Sequence, residues 1–292
     1  SMEANRIDLH LHSTFSDGLL SVEEMIGACK QAGLAVVAIT DHDTVDQVAS
    51  ALEAGRKAGI RVVPGIELSV GHGEYDFHLL AYNFDPANAA LAAALADQAQ
   101  ARRDRVHAIQ ARLADAGYLF DPQPLLAKAE GSVGRPEIAR AVLANPANAD
   151  RLRQETIEDY STFLDRYLTT GQPGYVERRR LAMTDAIRLI TEAGGVTSWA
   201  HAPWNLRRQA DAEIRLRTLA EEFRAAGLAG LEVFYPTHSR EQTKQFLRLC
   251  RELDLAPTAG SDYHGPGREN LFPRVGAWQD FGLDWQPDQR FL

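Results

Sequence analysis

Residues 7–13 read Ile-Asp-Leu-His-Leu-His-Ser, and the rest of the chain is best read outward from them. The apolar positions around Leu9 and Leu11 predict a short strand over Ile7–Leu11. Strand side chains alternate between faces, so His10 and His12 project the same way and can reach one ion. Asp17 follows in the loop. A helix is expected over 22–32, because Ser21 and Glu24 have capping-box spacing and Gly33 stands at the C-terminal stop.

Further along, strands are expected at 35–39, 61–66 and 77–82, with a helix over 45–58. Strands alternating with helices of this length indicate βαβ units and a mainly parallel sheet. Between about 87 and 168 no strand pattern occurs. An Ala-rich helix runs through Arg102, Arg103 and Arg105, and Gly/Pro-punctuated helical pieces follow. The alternation then resumes with strands at 196–199, 230–234 and 256–259, separated by helices over 211–226 and 239–253. Seven strands predict an α/β, barrel-like fold over 1–97 and 173–292, interrupted by a helical insertion over 98–172. That insertion is expected to act as a cap that selects substrate.

The chain has 292 residues, 45% hydrophobic and 24% charged, with a formal net charge of -9. The acidic balance argues against long duplex nucleic acid, which needs many basic phosphate contacts, but not against a small phosphorylated ligand at a local site. Cys29 and Cys250 each sit in an amphipathic pattern and read as buried free thiols. With no secretory signal pattern and no apolar membrane span, the expected location is the cytoplasm, and no obligatory protein partner is indicated.

Chemistry gathers at the predicted strand ends. After His10 and His12 come Thr40-Asp41-His42-Asp43, Gly65-Ile66-Glu67, His78, Ala200-His201 and Gly260-Ser261-Asp262-Tyr263-His264. In α/β barrels, functional groups collect at the C-terminal strand ends, so these loops should converge. A lone histidine such as His72, His107 or His238 reads as an ordinary surface or core residue. Recurrence separates the others, because burying so many imidazoles and carboxylates without cations would cost several kcal/mol per unpaired group.

The set DLHLHS at 8–13, ITDHDT at 39–44, PGIE at 64–67, His78, AH at 200–201 and GSDYH at 260–264 resembles the polymerase-and-histidinol-phosphatase (PHP) family. The resemblance implies a distorted (β/α)7 barrel related to the amidohydrolases. It further implies that His10, His12 and Asp262 bind one metal, with Glu67 bridging to a second held by His78 and His201. Asp17, His42 and His264 would hold a third. Asp41 and Asp43 are expected to orient ligands rather than bind. Three divalent ions bring +6 against -3 from Asp17, Glu67 and Asp262, so the site should be cationic and suited to a phosphate ester. Nitrogen and oxygen ligands admit Mn²⁺, Zn²⁺ or Fe²⁺, with Mn²⁺ the leading choice.

The expected nucleophile is a metal-bound water or hydroxide positioned by Glu67, His201 and Asp262, with Ser13 as a phosphate contact. In the insertion, Gly134-Arg135-Pro136-Glu137 places Arg135 at a helix start, where it could take a second phosphate or form an ordinary surface ion pair. Arg102, Arg103, Arg105 and Arg178–Arg180 read mainly as solvated charge. The chain resembles the family's stand-alone subgroup, which implies a 3',5'-nucleotide bisphosphate phosphatase or a 5'→3' exonuclease on short RNA. Glu137 departs from the pattern there, since many relatives carry His after GRP. A metal-dependent amidohydrolase cleaving C–N bonds is the rival from another reaction class, and a non-catalytic, metal-stabilised module is a second.

Overall fold

The computed structural model describes residues 6–128, 134–202, 206 and 210–292. The chain divides into two compact units, Ser1–Leu95 with Arg180–Leu292, and Ala96–Arg179.

The first unit is mixed α/β. Its elements run β1 (Ile7–Leu11), α1 (Val22–Gln31), β2 (Val36–Ile39), α2 (Val48–Ala58), β3 (Arg61–Val62), β4 (Gly65–His72) and β5 (Tyr75–Tyr82). After the second unit come β6 (Leu181–Ala182), α8 (Met183–Glu192), β7 (Val196–Trp199), α9 (Ala212–Ala225), β8 (Gly230–Phe234), α10 (Arg240–Leu253) and β9 (Ala256–Ala259). Ser21 caps α1 as its spacing predicts, with Glu24 reaching back to the Ser21 N–H at 2.7 Å. β1, β2 and β8 are buried along their whole length, as strands covered on both faces must be.

The ladders form two sheets, one of three parallel strands in the order β1-β2-β3, and one of six in the order β6-β4-β5-β7-β8-β9. Here the strand expectation needs correction. The stretch predicted as one strand over 61–66 is the two-residue β3 followed by the start of the eight-residue β4. β4 folds back on β5 as an antiparallel hairpin, and β5 is antiparallel to β7 as well. The hairpin is missed because Gly71-His72-Gly73-Glu74 interrupts the apolar run that a strand reading needs. Arg180, expected as solvated charge, braces this hairpin by donating to the carbonyls of Gly73 and Tyr75 and to the Asp76 carboxylate.

Backbone bonds connect the sheets at the strand ends. Asp262 N–H donates to His10 C=O at 2.8 Å and His12 N–H to Tyr263 C=O at 3.0 Å. At the other seam, Asp43 N–H donates to Glu67 C=O at 3.0 Å, and the buried Gln47 amide donates to Ile39 C=O and Gly65 C=O. The Tyr82 hydroxyl crosses the interior to Leu9 C=O at 2.6 Å. The main core includes Phe77, Trp199 and Phe223, whose rings meet edge to face at 4.9 Å and 5.0 Å. Each such pair contributes about 1 kcal/mol beyond burial. Cys29 and Cys250 are buried free thiols.

The second unit is helical, and none of its described residues forms a strand. It holds most of α3 (Ala89–Asp115), with α4 (Gln123–Leu126), α5 (Arg135–Ala144), α6 (Ala149–Gln154), α7 (Tyr160–Phe163) and a π-helical turn over Leu164–Leu168. It has its own core around Ile109, Leu113, Tyr118, Ile138 and Phe163. Among the described residues of the chain, no helix is long and apolar enough to cross a membrane.

Close packing at the end of β9 yields a direct test. A Cβ on Gly260 would overlap the His10 Cβ and crowd Glu232 Oε2. Gly260→Ala should therefore lower stability by about 2 kcal/mol or more, as overpacked core sites do. Thermal denaturation of the purified variant measures this, and an unchanged Tm would contradict the packing.

Candidate metal centre

Seven segments of the first unit supply the site. His10 comes from β1, His12 and Asp17 from the loop after β1, His42 from the loop after β2, Glu67 from β4 and His78 from β5. His201 follows β7, and Asp262 and His264 follow β9. Their donor atoms form three groups, each within 4.8 Å: His10, His12, Glu67 and Asp262; His42, Glu67 and His78; and His12, Asp17, His42 and His264. His201 joins through Nε2, which lies 3.3 Å from both Glu67 Oε1 and His78 Nδ1. All nine expected residues thus come together, although His12 and His42 each fall in two groups where the family pattern assigns them one.

Glu67 is the centre. Its Oε2 lies 3.0 Å from His12 Nε2 and 3.1 Å from His10 Nε2, and its Oε1 lies 2.9 Å from His78 Nδ1. Asp262 Oδ1 approaches His12 Nε2 at 3.1 Å, and Asp17 Oδ1 approaches His264 Nε2 at 3.1 Å. Three residues of the site have left-handed backbones without being glycine: Asp43 at φ 52°, Asp262 at φ 52° and His201 at φ 27°. Such strain costs about 1–3 kcal/mol each and is held only where surrounding structure over-determines it.

The donor set fits cations. Both ring nitrogens of His12, Asp17 Oδ1 and His201 Nδ1 are buried and make no well-aligned hydrogen bond, although His12 Nε2 and Asp17 Oδ1 lie about 3 Å from oppositely charged partners. Orphaned buried polar atoms are rare and cost about 1–3 kcal/mol each, whereas a cation among them would satisfy their lone pairs. Titration follows the same geometry. Burial opposes charge on His10, but Glu232, Glu67 and Asp262 outweigh it and raise its pKa well above the ordinary value. His12 is likewise pulled up to about 10 by Asp262 and Glu67 against burial. Glu67 is held well below the usual carboxylate range by His10, His78 and His42, despite its burial. His42 is driven down to about 3, chiefly by burial, and so stays neutral.

Other groups brace the ligands. Asp41 accepts from Ser13 N–H at 2.8 Å, from the Ser13 hydroxyl at 2.6 Å and from the Ser16 hydroxyl, fixing the loop that carries Asp17. Asp43 accepts from Ser69 N–H on β4. Asp8, with its pKa pushed up to about 6 by burial, accepts from the N–H groups of His10, Ser261 and Gly276. Ser13 departs from its expected role: it is fully buried and its hydroxyl is committed to Asp41, which leaves no exposed atom for a phosphate.

Within the second unit, Arg135 Nη1 donates to Leu168 C=O at 3.0 Å. Glu137 folds back to accept the Gly134 N–H at 2.8 Å, so a carboxylate already caps the start of α5. Of the histidines read as ordinary, His72 pairs with Glu222, His107 approaches Gln110, and buried His238 donates to Val233 C=O.

Two residues of the site escape the sequence reading. Glu232 reaches His10, and the Tyr235 hydroxyl donates to Asp262 Oδ2 at 2.7 Å. The available signal for Glu232 is one acid inside the apolar strand Gly-Leu-Glu-Val-Phe at 230–234. Tyr235 offers none, since a tyrosine at a strand end is unexceptional.

A family model of the PHP domain matches residues 8–91. Over 263 residues the chain is 33% identical to a 3',5'-nucleoside bisphosphate phosphatase from Chromobacterium violaceum, covering 89% of this chain and 88% of that one. The chain belongs to the PHP family. Another relative, a 5'-3' exoribonuclease from Haemophilus influenzae, is 30% identical over 261 residues, covering 89% and 90% of the two chains. The structure of a protein assigned as a metal-dependent phosphoesterase, from Bifidobacterium adolescentis, aligns with a TM-score of 0.69 at 29% identity, covering 94% of this chain and 93% of that one. This PHP phosphoesterase is a hydrolase with a donor set compatible with divalent metals.

The raised histidine pKa values have a consequence for pH. A group whose pKa rises on folding contributes stability below its unfolded value and loses it as pH climbs through the folded value. For His12 that window runs from 6.5 to about 10. Chelator-treated protein should therefore lose stability across this range, while cation binding should release protons and tighten as pH rises. Thermal melts against pH, with calorimetry in buffers of different ionisation enthalpy, check both; binding without proton release would contradict the assignment.

Proposed function

We propose that this PHP phosphoesterase hydrolyses the 3'-phosphate of nucleoside 3',5'-bisphosphates, giving the nucleoside 5'-monophosphate and phosphate. The observation that carries this reading is the convergence of nine residues with nitrogen or oxygen donors, Glu67 among them, and the similarity to a bisphosphate phosphatase supports the substrate class. His10, His12, Asp262 and Glu67 hold one cation; Glu67, His78 and His201 a second; Asp17, His42 and His264 a third. Mn²⁺ suits the donors best, with Zn²⁺ or Fe²⁺ as substitutes. When bound, the cations supply Lewis acidity toward the phosphoryl oxygens and lower the pKa of water.

The chain's own residues do the rest. Glu67, His201 and Asp262 orient the attacking water, while Asp41 and Asp8 hold the ligand-bearing loops in register. Arg135 takes the 5'-phosphate, exchanging its bond to Leu168 C=O for a charge-assisted one. The two sheets are read as arcs of one distorted (β/α)7 barrel, with residues 98–172 as the cap that selects substrate and the cytoplasm as its setting. A second reading, 5'→3' hydrolysis of short 5'-phosphorylated RNA, is favoured by the similarity to an exoribonuclease, because the same ester and the same 5'-anchor would serve.

Kinetics decide between these readings. Mn²⁺-loaded enzyme should show its highest kcat/KM on adenosine 3',5'-bisphosphate among a panel of 3'-AMP, 5'-AMP, histidinol phosphate, a cyclic amide and a short 5'-phosphorylated RNA. Indifference to the 5'-phosphate, or preference for histidinol phosphate, would overturn the substrate assignment. His12→Ala should lower kcat/KM by about 100-fold or more, ~2.7 kcal/mol of lost transition-state stabilisation. Arg135→Ala should raise KM for the bisphosphate far more than for 3'-AMP; equal effects would remove Arg135 as the 5'-phosphate anchor.

A further inference from the structure

β8 contributes none of the nine proposed ligands, yet its Glu232 reaches two of them. Glu232 is 1% exposed, and its carboxylate divides between two donors. Oε2 accepts from His10 Nδ1 at 2.8 Å, and Oε1 accepts the backbone N–H of His201 at 2.9 Å. That backbone bond falls on the residue held at φ 27°. On the opposite side of the His10 ring, Nε2 lies 3.1 Å from Glu67 Oε2 and 3.3 Å from Asp262 Oδ1. An imidazole donating from Nδ1 keeps its Nε2 lone pair for a cation. The ladder between β8 and β9 slips between Glu232 and Phe234. A slip of one residue changes which later side chains share a face, so Tyr235 also turns to the site and reaches Asp262.

We propose that Glu232 is a positioning residue of the metal centre, its single carboxylate holding His10 as the Nδ1–H tautomer and His201 in its strained backbone. The inference rests on the reading of His10 as a cation ligand. Glutamine cannot substitute, although it matches the shape. The site presents two N–H donors, and an amide offers one accepting oxygen and one donating nitrogen. One of the two contacts must fail in Glu232→Gln.

The test is Mn²⁺ binding, measured by chelator competition on folded protein, so it needs no substrate. Glu232→Gln should weaken the tightest Mn²⁺ site by about 10- to 100-fold, the range typical of groups that orient metal-binding histidines. The double variant with His10→Ala should lose less than the two single losses combined. If His10→Ala weakens binding and Glu232→Gln does not, the positioning role falls and the ligand reading stands. If His10→Ala also binds normally, the ligand reading itself falls. A measurement on the wild type covers a variant that fails to fold: ¹⁵N-histidine NMR of the Zn²⁺-loaded protein should show His10 protonated at Nδ1 and not at Nε2, and the reverse tautomer would overturn the proposal.

Discussion

A single buried carboxylate, Glu67, organises this molecule. Its two oxygens lie within 3.4 Å of nitrogens from five histidines, which arrive from β1, β5 and the loops after β1, β2 and β7. A carboxylate out of water needs compensating charge or hydrogen bonds at close range, and imidazoles supply N–H donors and, where they take protons, positive charge. The raised pKa values of His10 and His12 express that demand. Cations and protons therefore compete for the same lone pairs, and folding, metal loading and pH are coupled through one residue.

The same constraint explains the placement of the irregular backbone. The bonds between the sheets at His10–Asp262 and Asp43–Glu67 bring strand ends from different ladders to one place. Left-handed conformations at Asp43, His201 and Asp262 then turn the chain where an ordinary strand would continue outward. The segments that carry the site residues are braced by Asp8, Asp41 and Glu232, each of which accepts a backbone N–H.

Much of this was legible in the sequence. Period-2 placement puts His10 and His12 on one face, and the capping box of α1 appears as written. The recurrence of His and carboxylate at strand ends picked out the nine residues that the fold brings together, because that signal is local in sequence and repeated. What escaped is non-local or depends on backbone detail. The β4–β5 hairpin is hidden by the glycines at its turn, and the slip in β8 that brings Tyr235 inward leaves no mark in residue type. Ser13 was misread for a related reason: DLHLHS gives its neighbourhood, but only the fold shows Asp41 claiming its hydroxyl.

The bond between β1 and the segment after β9 joins residues about 250 positions apart, and neither metal-binding set around His12 is whole without that late segment. Contacts so distant along the chain form late, because the loop entropy is spent before any reward arrives. A hydrolytic centre assembled this way cannot mature on a partly built chain. Any cation held there would act as a final latch, captured only once the two far segments have met, so that competence for chemistry would report on completed folding.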